Sequence, residues 1–155
     1  MTNRFAVSLI AASLLTSSAA FAQSTTVQGA NEGARAGGAV GGPVGEALLF
    51  ASKAGADPAL VRQALMGGFA SSRILEVHGE RMVKRNFEPG FRIELHQKDL
   101  NLALEGARAL GISLPSTALA QQLFSSCAAH GGKAWDHSGM VRALEMMANH
   151  QVAKG

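Results

Sequence analysis

The sequence holds one cysteine and no tyrosine, and each scarcity removes a class of function. With Cys127 alone, neither an internal disulfide nor a cysteine-built zinc cage can form. Aromatic residues make up 5% of the chain, too few to provide a platform on which nucleobases could stack. The net charge of +3 comes from scattered lysines and arginines rather than a basic stripe, so nothing supports nucleic-acid binding. Runs of alternating apolar and polar residues are missing too, which argues against a sheet. What remains is an aliphatic sequence, 47% apolar over 155 residues, sufficient for one helical domain with a core.

The N-terminal residues read differently from the rest. Arg4, the apolar stretch from Phe5 to Leu15 and the Ala20-Phe21-Ala22 triplet make a secretory signal peptide over residues 1–22, with cleavage before Gln23. That reading places the product in the periplasm or outside the cell; an uncleaved helix on a cytoplasmic protein is the alternative. The apolar stretch is short for a membrane span. Glycines then recur four apart at Gly29, Gly33, Gly37, Gly41 and Gly45. On a helix they would form a flat face for close packing. Interior glycines cost helix stability, however, and Glu32, Arg35 and Pro43 oppose burial in lipid. Residues 23–45 are therefore read as a flexible linker.

From there the pattern is helical. A first helix is predicted over residues 46–54, stopped by Gly55. Asp57 caps a second, with Pro58 at its first position and Leu60, Val61, Ala64 and Leu65 facing inward. Ser71 or Ser72 caps a third, running to about Val83, with Ile74, Leu75 and Met82 inward. Past the Pro89-Gly90 turn, Leu100, Ala103, Leu104, Ala107 and Leu110 form an apolar stripe on a helix that Gly111 ends. Pro115 begins another helix, ending near Ala129, in which Ala120, Leu123, Phe124 and Cys127 share a face. Asp136 caps the last helix, with Met140, Val141, Leu144, Met147 and Ala148 inward. The domain expected is all-α, with about six helices.

Candidate chemistry is sparse. Lys98 is expected close to the start of its helix, where free amides favour anions, so it either serves a phosphate or carboxylate or pairs with Asp99 or Glu94. His78, His96, His130, His137 and His150 show no i, i+4 pairing with carboxylates, and are read as surface or helix-end residues with no metal site. No serine or cysteine has a recognisable base partner.

Gly90-Phe91 followed by His96-Gln97-Lys98-Asp99-Leu100 resembles the signature of the C-terminal helical domain of the β-hydroxyacid dehydrogenases. The 2-hydroxy-3-oxopropionate reductase and 3-hydroxyisobutyrate dehydrogenase branches are nearest. Glu46-Ala47-Leu48, Arg85-Asn86-Phe87, Leu114-Pro115 and Asp136-His137-Ser138 follow in the family's order, and the likeness spans residues 45–153. It implies the helical fold of 6-phosphogluconate dehydrogenase-like enzymes and NAD or NADP as cofactor. Lys98 and Phe91 inherit the cofactor contacts, with Lys98 approaching the nicotinamide. His96 either joins that cleft or packs inside.

The resemblance also marks what these residues lack. A Rossmann fingerprint needs a glycine-rich turn between a strand and a helix, and none is present. Ala30 falls where the family's proton-transferring lysine stands, and Gly33 where its substrate-holding asparagine stands. No catalytic residue is therefore assigned. These residues alone are expected to form an inactive homo-oligomer unless a separate Rossmann-domain chain joins them. An exported helical assembly protein, or a gene fusion without function, is the rival reading.

Overall fold

A computed structural model describes residues 41–154, and among them the chain forms six α-helices and no strand. They are α1 (Gly41–Lys53), α2 (Pro58–Met66), α3 (Arg73–Val83), α4 (Ile93–Leu110), α5 (Pro115–Ala129) and α6 (Val141–Ala148). Short 3₁₀ turns at Gly132–Ala134 and His137–Met140 join α5 to α6. No described helix is long and apolar enough to cross a membrane. The signal peptide, most of the linker, Ala30 and Gly33 lie outside the described residues.

Caps and breakers set the helix limits. The Asp57 carboxylate accepts the Ala59 amide at 2.8 Å, and the Ser72 hydroxyl accepts that of Leu75 at 3.1 Å. Gly55 and Gly111 end α1 and α4 with φ of 90° and 67°, a left-handed backbone that favours glycine.

Helix α4 packs on α5 and α1 on α3, and α6 closes against both pairs. One core cluster joins Ile93, Leu100, Leu123, Phe124, Cys127, Met140 and Leu144; another joins Leu48, Met82, Val141 and Val152. Cys127 lies fully buried among them, on the face it shares with Ala120, Leu123 and Phe124. An ion pair between Arg85 and Glu145 ties the end of α3 to α6, and Glu145 Oε1 also accepts the Val152 amide at 2.8 Å.

Three expectations need correction. Helix α1 begins at Gly41, so residues 41–45 are helix rather than linker. Gly41, Gly42 and Gly45 are buried because their missing side chains admit the next layer. A Cβ at Gly45 would stand 3.1 Å from Leu144 Cδ1 and 3.3 Å from Val141 Cγ2. Here the four-residue glycine spacing serves close packing inside the protein.

Helix α2 buries none of its residues, and Leu60 is 63% exposed. It sits at the rim, where Arg62 reaches across α3 and donates to the carbonyls of Leu75 (3.1 Å) and Glu76 (2.6 Å). The apolar ends of two stripes also face outward: Leu110 on α4 and Met147 on α6 are 61% and 69% exposed.

Candidate functional site

Everything around the motif is anchored to one buried carboxylate. Asp136, expected to cap the last helix, instead caps the 3₁₀ turn that precedes it, with Oδ1 accepting the Ser138 amide at 3.0 Å and the Ser138 hydroxyl at 2.6 Å. Its Oδ2 accepts the backbone amides of Gly90 and Phe91 at 3.0 and 3.1 Å. Backbone bonds reinforce the junction: Asp136 to the Phe87 carbonyl, Ile93 to that of Trp135 and His137 to that of Phe91, each at 2.9 Å. The Pro89-Gly90-Phe91 turn is thus sewn to a segment far away in sequence, which fixes where α4 starts. Arg92 at its N-cap supplies no side-chain cap.

Asp136 is 2% exposed. Burial opposes its charge, but the nearby His78, the Ser138 hydroxyl and the amides of Ser138 and Phe91 outweigh it. Together they hold the carboxyl well below the ordinary carboxylate range. The His78 Nδ1 approach, at 3.7 Å, is longer than a hydrogen bond. Arg81 Nη1 lies 3.6 Å from Oδ2 on the other side.

Helix α4 begins at Ile93, which puts Lys98 in its second turn. The expectation that Lys98 sits at the helix start is corrected: the field of a helix end fades within a turn, so the lysine acts through its own charge. Its Nζ lies 2.8 Å from Oδ1 of the buried Asp99, while its side chain is 61% exposed. The ion pair with Asp99 is present, and the exposed chain can also meet a ligand. Phe91 is partly buried, edge-on to the rings of His96 (6.0 Å between centroids) and His137 (5.6 Å).

The histidines divide. His130 is exposed, and His150 shares a 3.0 Å hydrogen bond with Ser52. His78, His96 and His137, read from the sequence as surface or helix-end residues, converge instead beside Asp136. The His78 and His137 ring centroids are 4.3 Å apart, and those of His96 and His137 are 5.2 Å apart. His96 is 2% exposed and packs on Phe124. Burial, followed by the neighbouring His137, lowers its pKa to about 4, so it is neutral at pH 7. Burial, then His78, also lowers His137. Sequence spacing could not reveal this group, because it joins α3, α4 and the Asp136 turn.

Other candidates fall to structural roles. Burial pushes the Cys127 thiol up, and its Sγ lies 3.5 Å from the Gly139 carbonyl. Ser72 is spent as a helix cap.

Comparison with known proteins agrees with this architecture. The chain is 73% identical over 110 residues to the 2-hydroxy-3-oxopropionate reductase of Escherichia coli, covering 71% of this chain and 38% of that enzyme. A probable 3-hydroxyisobutyrate dehydrogenase-like protein of Arabidopsis thaliana is 38% identical over 107 residues, covering 69% of this chain and 32% of its own. The crystal structure of a 3-hydroxyisobutyrate dehydrogenase from Salmonella typhimurium shares the fold with a TM-score of 0.61 at 22% identity. That alignment covers 81% of this chain and 41% of that one. The chain therefore spans about a third to two fifths of the length of these proteins. The profile described as "NAD-binding of NADP-dependent 3-hydroxyisobutyrate dehydrogenase" matches residues 38–144, and the chain belongs to that family.

Proposed function

We propose that this chain is the C-terminal helical domain of an NAD(P)-dependent 2-hydroxy-3-oxopropionate reductase, which reduces tartronate semialdehyde to glycerate. The 73% identity over 110 residues to the Escherichia coli reductase carries the reading. In such an enzyme the cofactor supplies the hydride. This domain would contribute the wall of the cleft that bears Lys98 and Phe91. The exposed Lys98 ammonium fits a role toward an anionic or carbonyl-rich ligand, and Asp99 beneath it restrains the side chain. Phe91, packed edge-on against both histidine rings, would give the wall its shape.

These 155 residues alone are proposed to be inactive, since their sequence carries no Rossmann fingerprint and places Ala30 and Gly33 where a lysine and an asparagine would work. Self-association, most simply as a dimer, is proposed from the outward-facing Phe50, Phe69 and Met147, which are 78%, 113% and 69% exposed. Export through residues 1–22 completes the reading.

The test is a chimera that joins residues 41–154 to the Rossmann domain and connecting helix of the Escherichia coli reductase. Tartronate semialdehyde-dependent oxidation of NADH or NADPH is expected from the chimera and not from the chain alone. A folded chimera without turnover would refute the assignment.

A further inference from the structure

His137 Nδ1 lies 3.2 Å from the Phe91 carbonyl, which can only accept, so Nδ1 carries the hydrogen and Nε2 the lone pair. His78 Nδ1 faces Asp136 Oδ1 at 3.7 Å and has no hydrogen-bond partner among the described residues. At that distance the carboxylate does not fix the tautomer. With its hydrogen on Nε2, His78 makes an ordinary N–H···N bond to His137; with its hydrogen on Nδ1, toward Asp136, it leaves a second lone pair on Nε2. The two Nε2 atoms face each other at 3.0 Å. In the second tautomer two lone pairs converge on one point, the arrangement that a metal ion bridging the two rings would use.

We infer that His78 and His137 bind a divalent, imidazole-preferring metal ion of the Zn²⁺ class through their Nε2 atoms, with Asp136 and the Phe91 carbonyl orienting the two rings. A histidine whose second nitrogen addresses a carboxylate or a backbone carbonyl is the usual arrangement around metal-bound imidazole. Zinc–nitrogen bonds in a tetrahedral site set the two nitrogens about 3.4 Å apart, a few tenths of an ångström beyond the spacing present. One ligand atom each from His78, Asp136 and His137 lies within 4.8 Å of the others. The Asp136 oxygens are already filled by four donors, so the carboxylate orients rather than ligates.

An independent observation points the same way. His96, 2% exposed, keeps Nε2 buried without a hydrogen-bond partner among the described residues, and its ring lies beside that of His137. His96 stands outside the group of ligand atoms formed by His78, Asp136 and His137, so it supplies a neutral, unmet nitrogen in the wall beside the pair rather than a ligand. The charged groups around the pair are Arg81, which faces Asp136, and the Asp99–Lys98 pair of α4. Imidazole donors suit zinc, copper and nickel and disfavour magnesium and calcium.

The test uses the full chain without a histidine tag, stripped with chelator and dialysed. Calorimetric titration with Zn²⁺ is expected to show one equivalent bound, and Co²⁺ to give the absorption bands of a nitrogen-ligated tetrahedral site. His78→Gln and His137→Gln should each weaken Zn²⁺ binding by about tenfold or more, while His130→Gln leaves it unchanged. Should either core variant unfold the chain, the wild-type Co²⁺ spectrum reports on the site independently. Failure of the wild type to bind Zn²⁺ would show that a hydrogen bond alone joins the pair and overturn the inference. Binding that survives both substitutions in folded protein would overturn it equally.

Discussion

The carboxylate of Asp136 accepts the backbone amide of Phe91 at 3.1 Å, joining residues 45 positions apart at the entrance to α4. It accepts the Gly90 amide with the same oxygen. Truncating it would strand buried donors on both sides of the junction, and each stranded donor is costly. Asp136→Ala should therefore lower unfolding free energy by at least about 2–3 kcal/mol, measured by urea denaturation. The contribution also depends on pH. The folded-state pKa lies below the unfolded one, so the stabilisation is present above about pH 4 and is lost as pH falls further. The variant's acid limb should be flatter than that of the wild type.

His96 acts in a neighbouring window for the opposite reason. Its folded pKa, about 4, lies below the value of about 6.5 for a histidine in the unfolded chain. Between these limits the unfolded chain binds a proton that the folded chain refuses, so stability rises with pH through this range. The shift corresponds to about 3 kcal/mol, fully available above pH 6.5 and gone near pH 4. Stability curves at pH 7 and pH 5 should differ by less in His96→Phe than in the wild type. Equal slopes in the two proteins would show that His96 does not titrate in this way.

Much of this architecture is legible in the sequence, since helix ends are local chemistry. Asp57, Ser72, Pro115 and Gly111 mark their boundaries through caps, a fixed φ or a left-handed backbone, all properties of single residues. The Cys127 face is equally plain from spacing. What spacing cannot convey is which element covers a stripe. Leu60 and Met147 look inward by periodicity and face outward in the fold: α2 packs only through the side that carries Val61 and Arg62, and nothing among the described residues covers Leu60 or the far side of α6. The His78–Asp136–His137 group was hidden for the same reason, its members being brought together only by packing. The motif itself stands out as a sequence likeness, but its link to Asp136 is tertiary.

Gly45 discriminates between a linker and a packed helix. A small added methyl meets movable side-chain ends at Leu144 and Val141, and alanine improves helix propensity by about 1 kcal/mol. Gly45→Ala should therefore be close to neutral. A branched or longer side chain must displace Val141 and Leu144 from the core, at about 1–3 kcal/mol. Gly45→Leu should lower thermal stability clearly, as read by circular dichroism. A neutral Gly45→Leu would mean that α1 does not dock on α6 through this residue.

Lys98 carries the last prediction, and it is best read in the active chimera. Its ammonium extends from the second turn of α4, is 61% exposed and lies 2.8 Å from the Asp99 carboxylate. Removing the side chain takes the ion pair from the buried Asp99 carboxylate, so Lys98→Ala should fold but melt somewhat below its parent, and activity is compared at a temperature where both are folded. Lys98→Arg, which keeps a cation within reach of Asp99, separates this stability cost from the loss at the ligand. A charge-assisted hydrogen bond from this lysine to the ligands of the cleft is worth about 1.5–3 kcal/mol. The variant should lose at least about tenfold in kcat/KM for the cofactor. The loss should be partly restored by Lys98→Arg, which keeps the charge. It should also shrink at high salt, because an exposed charge is screened. Unchanged kcat/KM in Lys98→Ala would remove the lysine from the cofactor wall and leave it as the surface partner of Asp99.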